Sequence, residues 1–199
     1  MMSKSCRNFT LYFGGIVSES KDPIEILCYK LLQEIGEDPT REGLVDTPKR
    51  FAKWWRDFST YKDNKMQTTF TVSNVDQMVI VRGMKVWSLC EHHLLPFWCD
   101  ITVGHIAEKS VLGLSKYARI AHQHASKLQM QERLVTDIAN DIKEYTNSED
   151  VAVIAKGEHL CMAMRGIKTE GEMISSVMSG KFRSNVDTRA EFISLAGVT

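Results

Sequence analysis

The sequence predicts an α+β fold with an antiparallel sheet, and two observations predict it. The first is order: helical periodicity dominates before Phe58, short β-branched runs follow from Thr68 to Ile106, two more helical patterns come next, and strand-like runs return near the C-terminus. The second is size and composition: 199 residues, 43% hydrophobic and 25% charged, suit one domain with a substantial core and a smaller extension. Residues 1–65 are assigned to an N-terminal extension with helices, and residues 66–199 to the domain that carries the sheet.

Taken in order, Asp22-Pro23 followed by Ile24, Ile26, Leu27, Leu31, Leu32 and Ile35 reads as an N-cap, a proline at the first helical position and an apolar stripe closing near Gly36. Thr47-Pro48 repeats that signature and opens a second helix through Phe51, Trp54, Trp55 and Phe58, with the tryptophans as packing anchors. Thr68 to Val72, Met78 to Val81 and Met84 to Leu89 read as strands, with Gly83 as a turn between the last two. Alternation at Ile101, Val103 and His105 predicts another strand from Trp98 to Ile106. Ser115 stands as N-cap of a helix through Ala118, Ile120, Ala121 and Ala125, and Gln131-Glu132 opens one carrying Leu134, Ile138 and Ile142. Val151 to Ala155 is a strand, and a final pair is expected at Ile174 to Val177 and Glu191 to Leu195. There is no internal repeat.

Composition excludes some classes. The formal net charge is +0, so no global field favours nucleic acid or an anionic membrane, and an anion site must be local. No run approaches the roughly 20 apolar residues of a membrane span, and the N-terminus makes a poor signal peptide. Five widely spaced cysteines are unlike a secreted disulfide framework. The expected location is cytoplasmic. Cys28 falls in an apolar helical pattern and is read as a core thiol.

The chemistry concentrates in Cys90-Glu91-His92-His93, where Cys90 and His93 are spaced to meet one ion. A second cluster, Glu158-His159-Leu160-Cys161, follows the strand at Val151 to Ala155, and alternation along an extended chain places His159 and Cys161 on one face. Two thiolates with imidazoles suit zinc, since thiolates disfavour magnesium and calcium. Two cysteines and one histidine leave a fourth position open, as in catalytic zinc, whereas a fourth protein ligand makes the site structural. Spacing alone leaves both open, together with no metal at all. Lys116, Arg119 and Arg165, with the helix start at Ser115, offer phosphate contacts, although an isolated Lys or Arg is more often a solvated charge. His105, His122 and His124 are read as structural.

Five blocks in one order carry a resemblance: C-E-H-H at 90–93, G-L-S-K-Y-A-R-I at 113–120, L-Q-M-Q-E-R-L at 128–134, H-L-C-M-A-M-R-G at 159–166 and T-R-A-E-F at 188–192. Together with D-T-P-K-R at 46–50, they resemble the zinc-dependent GTP cyclohydrolase I family, from about Pro23 to Leu195. The resemblance implies a T-fold, an antiparallel sheet with two helices on one face, assembled as a homodecamer of two pentamers with active sites between subunits. It implies one Zn2+ per subunit on Cys90, His93 and Cys161, and His92 and His159 as catalytic acid and base. It implies guanine recognition by Glu132 with the backbone around Gln131. Ribose and triphosphate contacts are implied for Ser115, Lys116, Arg119, Arg165 and Arg50, the last from a neighbouring subunit. The implied reaction hydrolyses GTP to 7,8-dihydroneopterin triphosphate and formate with a zinc-activated water, at the head of pterin, folate or 7-deazaguanine synthesis. Glu91 is left between a role behind the metal ligands and one beside the substrate. Other T-fold enzymes fit less well: pterin synthases use three histidines on zinc, and nitrile reductases use a catalytic cysteine without it. A zinc-stabilised scaffold without activity is the reading from a different class.

Overall fold

A computed structural model describes residues 9–13, 16–20, 22–61, 69–71, 76–108 and 110–197. The chain divides into two compact units, Met1–Thr60 and Tyr61–Thr199. The first contains an antiparallel pair, β1 (Phe9–Phe13) and β2 (Ile16–Ser20), with helices α1 (Pro23–Glu34) and α2 (Thr47–Ser59). Asp22 caps α1 as its position before Pro23 requires: its carboxylate accepts from the Ile24 N–H at 2.9 Å. Arg56 of α2 donates to the same carboxylate at 2.6 Å and holds the Asp22 pKa below its ordinary value. Helix α2 starts one residue before the expected position, with Asp46 at the N-cap. Phe51, Trp54, Trp55 and Phe58 form one aromatic cluster, with the tryptophan centroids 5.0 Å apart. Cys28 is buried there, and burial raises its thiol pKa.

The second unit is built on a five-stranded sheet. In chain order come β3 (Thr69–Thr71), β4 (Gln77–Cys90), β5 (Pro96–Ala107), β6 (Ser110–Leu112), α3 (Leu114–Ala125), β7 (Leu128–Gln129), α4 (Gln131–Thr146) and β8 (Val151–His159). They are followed by α5 (Leu160–Ala163), β9 (Glu172–Met178), α6 (Lys181–Ser184) and α7 (Val186–Ala196). The sheet order is β7-β4-β5-β8-β9, antiparallel except where the two residues of β7 run parallel to the end of β4. Residues 62–68 and 72–75, where the first strand expectation begins and ends, lie outside the described residues.

Helices α3 and α4 cover one face. Ile120, Ala121, Leu134 and Ile138 meet Val86, Ile101, Val103, Val153 and Ala155, all essentially without solvent access. At roughly 25 cal/mol per Å² of apolar surface removed from water, this layer is the main stabilising contact of the unit. The strand residues in it alternate, so period two on the sheet meets period 3.6 on the helices.

Three expectations are corrected. Met78 to Val81 and Met84 to Leu89 are one strand, β4, and Gly83 is a bulge in it: the register shifts between Val81 and Met84, and Gly83 has φ +74°. Glu191 to Leu195 is not a strand but part of α7, capped by Asn185, whose side chain accepts from Thr188 N–H at 3.0 Å, and ended by Gly197 at φ +67°. Phe192 and Ala196, one helical turn apart, are buried against Ile106, Ala152 and Ile154. Phe192 packs over Gly104, where a Cβ would come within 2.6 Å of its ring. Ser115 is not the N-cap of α3: Gly113 holds that position, and Ser115 lies in the first turn.

His105 is structural, as expected. It is fully buried on β5, with Nδ1 3.1 Å from the Tyr117 hydroxyl, and burial lowers its pKa from 6.5 to about 4. The unfolded chain binds a proton there near pH 6.5 while the folded chain does not until about pH 4. Folding stability is therefore lost as pH falls from 6.5 towards 4, by at most something on the order of 3 kcal/mol from this group. Urea unfolding of His105→Gln at fixed protein concentration should show a flatter profile than wild type across that window. Identical profiles would remove His105 as the cause.

Candidate metal centre and active site

The loop joining β4 to β5 folds so that Cys90 and His93 converge. Cys90 N–H donates to Leu95 O at 2.9 Å, Leu94 N–H donates to Cys90 O at 2.8 Å, and Leu94 adopts a left-handed φ of +54°. Reversing the chain in this space brings His93 Nδ1 to 3.7 Å and His92 Nδ1 to 3.8 Å from Cys90 Sγ. The imidazole rings diverge, with centroids 6.1 Å apart.

Strand β8 pairs His159 with Phe97 on β5 and so delivers the second cluster to this loop. The expected alternation ends there. β8 stops at His159 and the chain turns into α5, so Cys161 reaches Cys90 from a helical turn rather than from a shared strand face. The ligand atoms of Cys90, His93 and Cys161 all lie within 4.8 Å of one another. Burial raises the Cys161 pKa, the hydrogen bond and charge of Cys90 raise it further, and Arg165 opposes them. Two thiols brought together at such a cost, with an imidazole beside them, are a donor set suited to a soft or borderline cation.

His159 does not join that group. Its ring stacks on Phe97, with centroids 4.5 Å apart and planes 5° from parallel, and its Nε2 lies 2.9 Å from Gln131 Oε1. Burial lowers its pKa, and the Glu132 charge acts in the opposite direction. Gln131 opens α4 with no solvent exposure, and its amide nitrogen donates to Ala155 O at 3.0 Å and Met173 O at 2.9 Å. Its side chain is thus consumed inside the protein, and only its backbone is left for a substrate. Glu132, next in sequence, is exposed.

Sequence reasoning missed three supporting residues. Arg133 donates to the Glu91 carboxylate and, at 2.6 Å, to Gln129 Oε1, while Glu91 N–H donates to Gln129 O at 3.1 Å. Glu91 therefore ties the ligand loop to α4. Arg133 lies inside the block L-Q-M-Q-E-R-L, and its spacing from Gln129 by one helical turn was the available signal. Phe97 had no signal beyond its apolar character. Gly157 leaves the space that Gln131 fills: a Cβ there would sit 2.7 Å from Gln131 Oε1 and 2.6 Å from Cys99 Sγ. Gly157→Ala should destabilise the unit by about 1–3 kcal/mol through overpacking, read by thermal unfolding. An unchanged midpoint would contradict the close approach.

The remaining site candidates come from other elements. Arg165 follows α5 and its charge is felt at Cys161. Arg50 is exposed on α2, in the N-terminal unit, paired with Asp46 at 3.1 Å. Ser115, Lys116 and Arg119 occupy the first two turns of α3. Tyr117, among them, binds His105, which stands eight residues beyond Phe97 on β5, so the start of α3 lies towards the end of β5 away from the Cys90 loop.

The comparison with known proteins decides the family. The family profile described as GTP cyclohydrolase I matches residues 24–197. The chain belongs to the GTP cyclohydrolase I family. It is 43% identical to GTP cyclohydrolase 1 of Sulfurihydrogenibium sp. (strain YO3AOP1) over 176 residues, 88% of this chain and 94% of that relative. It is 45% identical to GTP cyclohydrolase 1 of Methylococcus capsulatus over 179 residues, 87% of this chain and 97% of the relative. Against GTP cyclohydrolase 1 of Aquifex aeolicus the identity is 38% over 176 residues, covering 88% and 96%. As a member of an enzyme family the chain is an enzyme, and its sheet with α3 and α4 on one face is the T-fold of GTP cyclohydrolase I. Among the described residues no helix is long and apolar enough to cross a membrane.

Proposed function

We propose that the enzyme hydrolyses GTP to 7,8-dihydroneopterin triphosphate and formate at the Cys90 loop. The observation that carries this reading is the convergence of Cys90, His93 and Cys161 beside two histidines that are not needed as ligands. Cys90, His93 and Cys161 would hold one Zn2+, and their three donors leave a coordination position open. When bound, zinc supplies Lewis-acid activation of the water that opens the purine imidazole ring.

The chain's own residues account for the rest. Glu132, exposed at the start of α4, accepts hydrogen bonds from guanine N1–H and the exocyclic amine. Adenine lacks that donor pattern and leaves the carboxylate unpaired, so it is rejected. His92, at the rim of the sulfur cluster, gives a proton to N7 as the ring opens. Formamide hydrolysis releases formate, and the ribose then opens, rearranges and closes onto the freed amine. His159 moves protons in these later steps, from a ring whose plane Phe97 fixes.

Arg165 binds phosphate beside Cys161. Ser115, Lys116 and Arg119 bind ribose and triphosphate from the neighbouring subunit, and the position of the α3 start towards the end of β5 away from the Cys90 loop supports this. Arg50 is a further triphosphate contact. The assembly is a decamer of two pentameric rings, and pairing of the outer edge of β9 across subunits would remove an exposed strand edge. The free thiols Cys28, Cys90, Cys99 and Cys161 suit a reducing cytoplasm. Zinc-loaded protein incubated with GTP should release formate, whereas ATP should give none. Absence of formate from GTP would overturn the proposal.

A further inference from the structure

The side-chain amide of Gln131 faces three partners of which two are backbone carbonyl oxygens, Ala155 O on β8 and Met173 O on β9. A carbonyl oxygen only accepts, so the amide nitrogen must point at that pair and spends both of its hydrogens there. The orientation of the group is therefore dictated by its surroundings. Oε1 is left on the opposite side, where it meets His159 Nε2 at 2.9 Å. An amide oxygen has no hydrogen to give, so a neutral His159 must carry its proton on Nε2 and donate it. The other nitrogen, Nδ1, keeps its lone pair.

We propose that Gln131 is the positioning residue that fixes neutral His159 in the Nε2–H tautomer and so makes Nδ1 the lone-pair nitrogen that the ring offers. This rests on the reading that His159 acts on the substrate. Three restraints hold the imidazole. Phe97 stacks on it and sets the ring plane. Gln131 sets the rotation within that plane. Gly157 leaves the room for Gln131, since a Cβ there would sit 2.7 Å from the amide oxygen. Rotating the ring to present Nε2 outward would abandon the Gln131 bond and leave a buried amide oxygen unpaired. The pairing of β8 with β9 thereby reaches the chemistry: the carbonyls of Ala155 and Met173 belong to neighbouring strands, and their spacing orients the amide.

The test is the long-range ¹H–¹⁵N spectrum of histidine-labelled full-length protein at pH 8, with His159→Asn used to assign the signal. In the wild type, with or without zinc, His159 should give one protonated-type Nε2 and one lone-pair-type Nδ1. A protonated Nδ1, or an average of both forms, would overturn the proposal. Gln131→Met keeps the length of the side chain and removes its oxygen. It should shift both resonances towards the averaged position and lower kcat roughly ten- to hundredfold, with KM for GTP and zinc content close to wild type. If folded Gln131→Met kept the Nε2–H tautomer and full kcat, Gln131 would only brace the strands and the proposal would fail. If that variant did not fold, the wild-type spectrum alone would still decide the tautomer. Unimpaired GTP turnover by His159→Asn would instead strike the reading of the function, and would leave the spectrum as it stands.

Discussion

Cys161→Ser should empty the metal site and abolish formate release, whereas His92→Ala should keep its zinc and lose turnover. Serine is nearly isosteric with cysteine, and Cys161 is half-buried on a short helix, so the fold should survive the change. What is lost is the thiolate: a serine hydroxyl does not ionise near neutral pH and is a poor partner for a borderline-soft cation. The remaining pair, Cys90 and His93, supplies two donors, one fewer than a catalytic zinc site requires. Metal analysis should find zinc near one per subunit in the wild type and in His92→Ala, and close to none in Cys161→Ser. Turnover of His92→Ala should fall about 10²- to 10⁴-fold, the range expected for loss of a general acid. His92 lies as near Cys90 Sγ as His93 does, at 3.8 Å against 3.7 Å, so proximity to sulfur does not separate the two histidines. Cys161 separates them, because only His93 closes the three-membered group with it. Equal loss of zinc from both variants would mean that His92 is a ligand.

What the sequence made legible follows from how local each signal is. The stripes of α1, α3 and α4 and the Asp22 cap of α1 are short-range signals, and all three helices are found where periodicity placed them, to within a residue or two, although the expected Ser115 cap of α3 is not. The T-fold itself came through the motif blocks, since helix and strand order alone gives only α+β. Gly83 was misread because a glycine between two β-branched runs has the same local chemistry in a turn and in a bulge. Only pairing with β5 distinguishes them. Glu191 to Leu195 alternates weakly enough to pass for a strand, and its helical state is set by Asn185 and by packing on Ile106 and Ala152. The ligand set was legible from residue type, but not the route of Cys161 to Cys90, which depends on β8 ending at His159. Gln131 and Gly157 were illegible in role. Their function is to fill and to leave one space, and no single-chain pattern records a space.

Mixed oligomers of two inactive variants should regain activity. Arg119→Ala removes a proposed triphosphate contact on α3, and Cys161→Ser removes a proposed metal ligand at the opposite end of the sheet. Along β5 the start of α3 lies towards one end and the Cys90 loop at the other. If each active site takes its cation-binding half from one subunit and its α3 half from the next, random co-assembly makes about a quarter of the sites wild type in both halves. Co-expressed and separately tagged subunits, purified through both tags, should then release formate at subsaturating GTP at about a quarter of the wild-type rate per site. Each variant alone should remain near background. If the whole site belonged to one chain, every subunit of the mixture would carry one defect and no activity would return. A positive result would also explain why the α3 start stands away from the Cys90 loop in the chain that carries both: the symmetry of the assembly, rather than the fold, would bring the two halves of the site together.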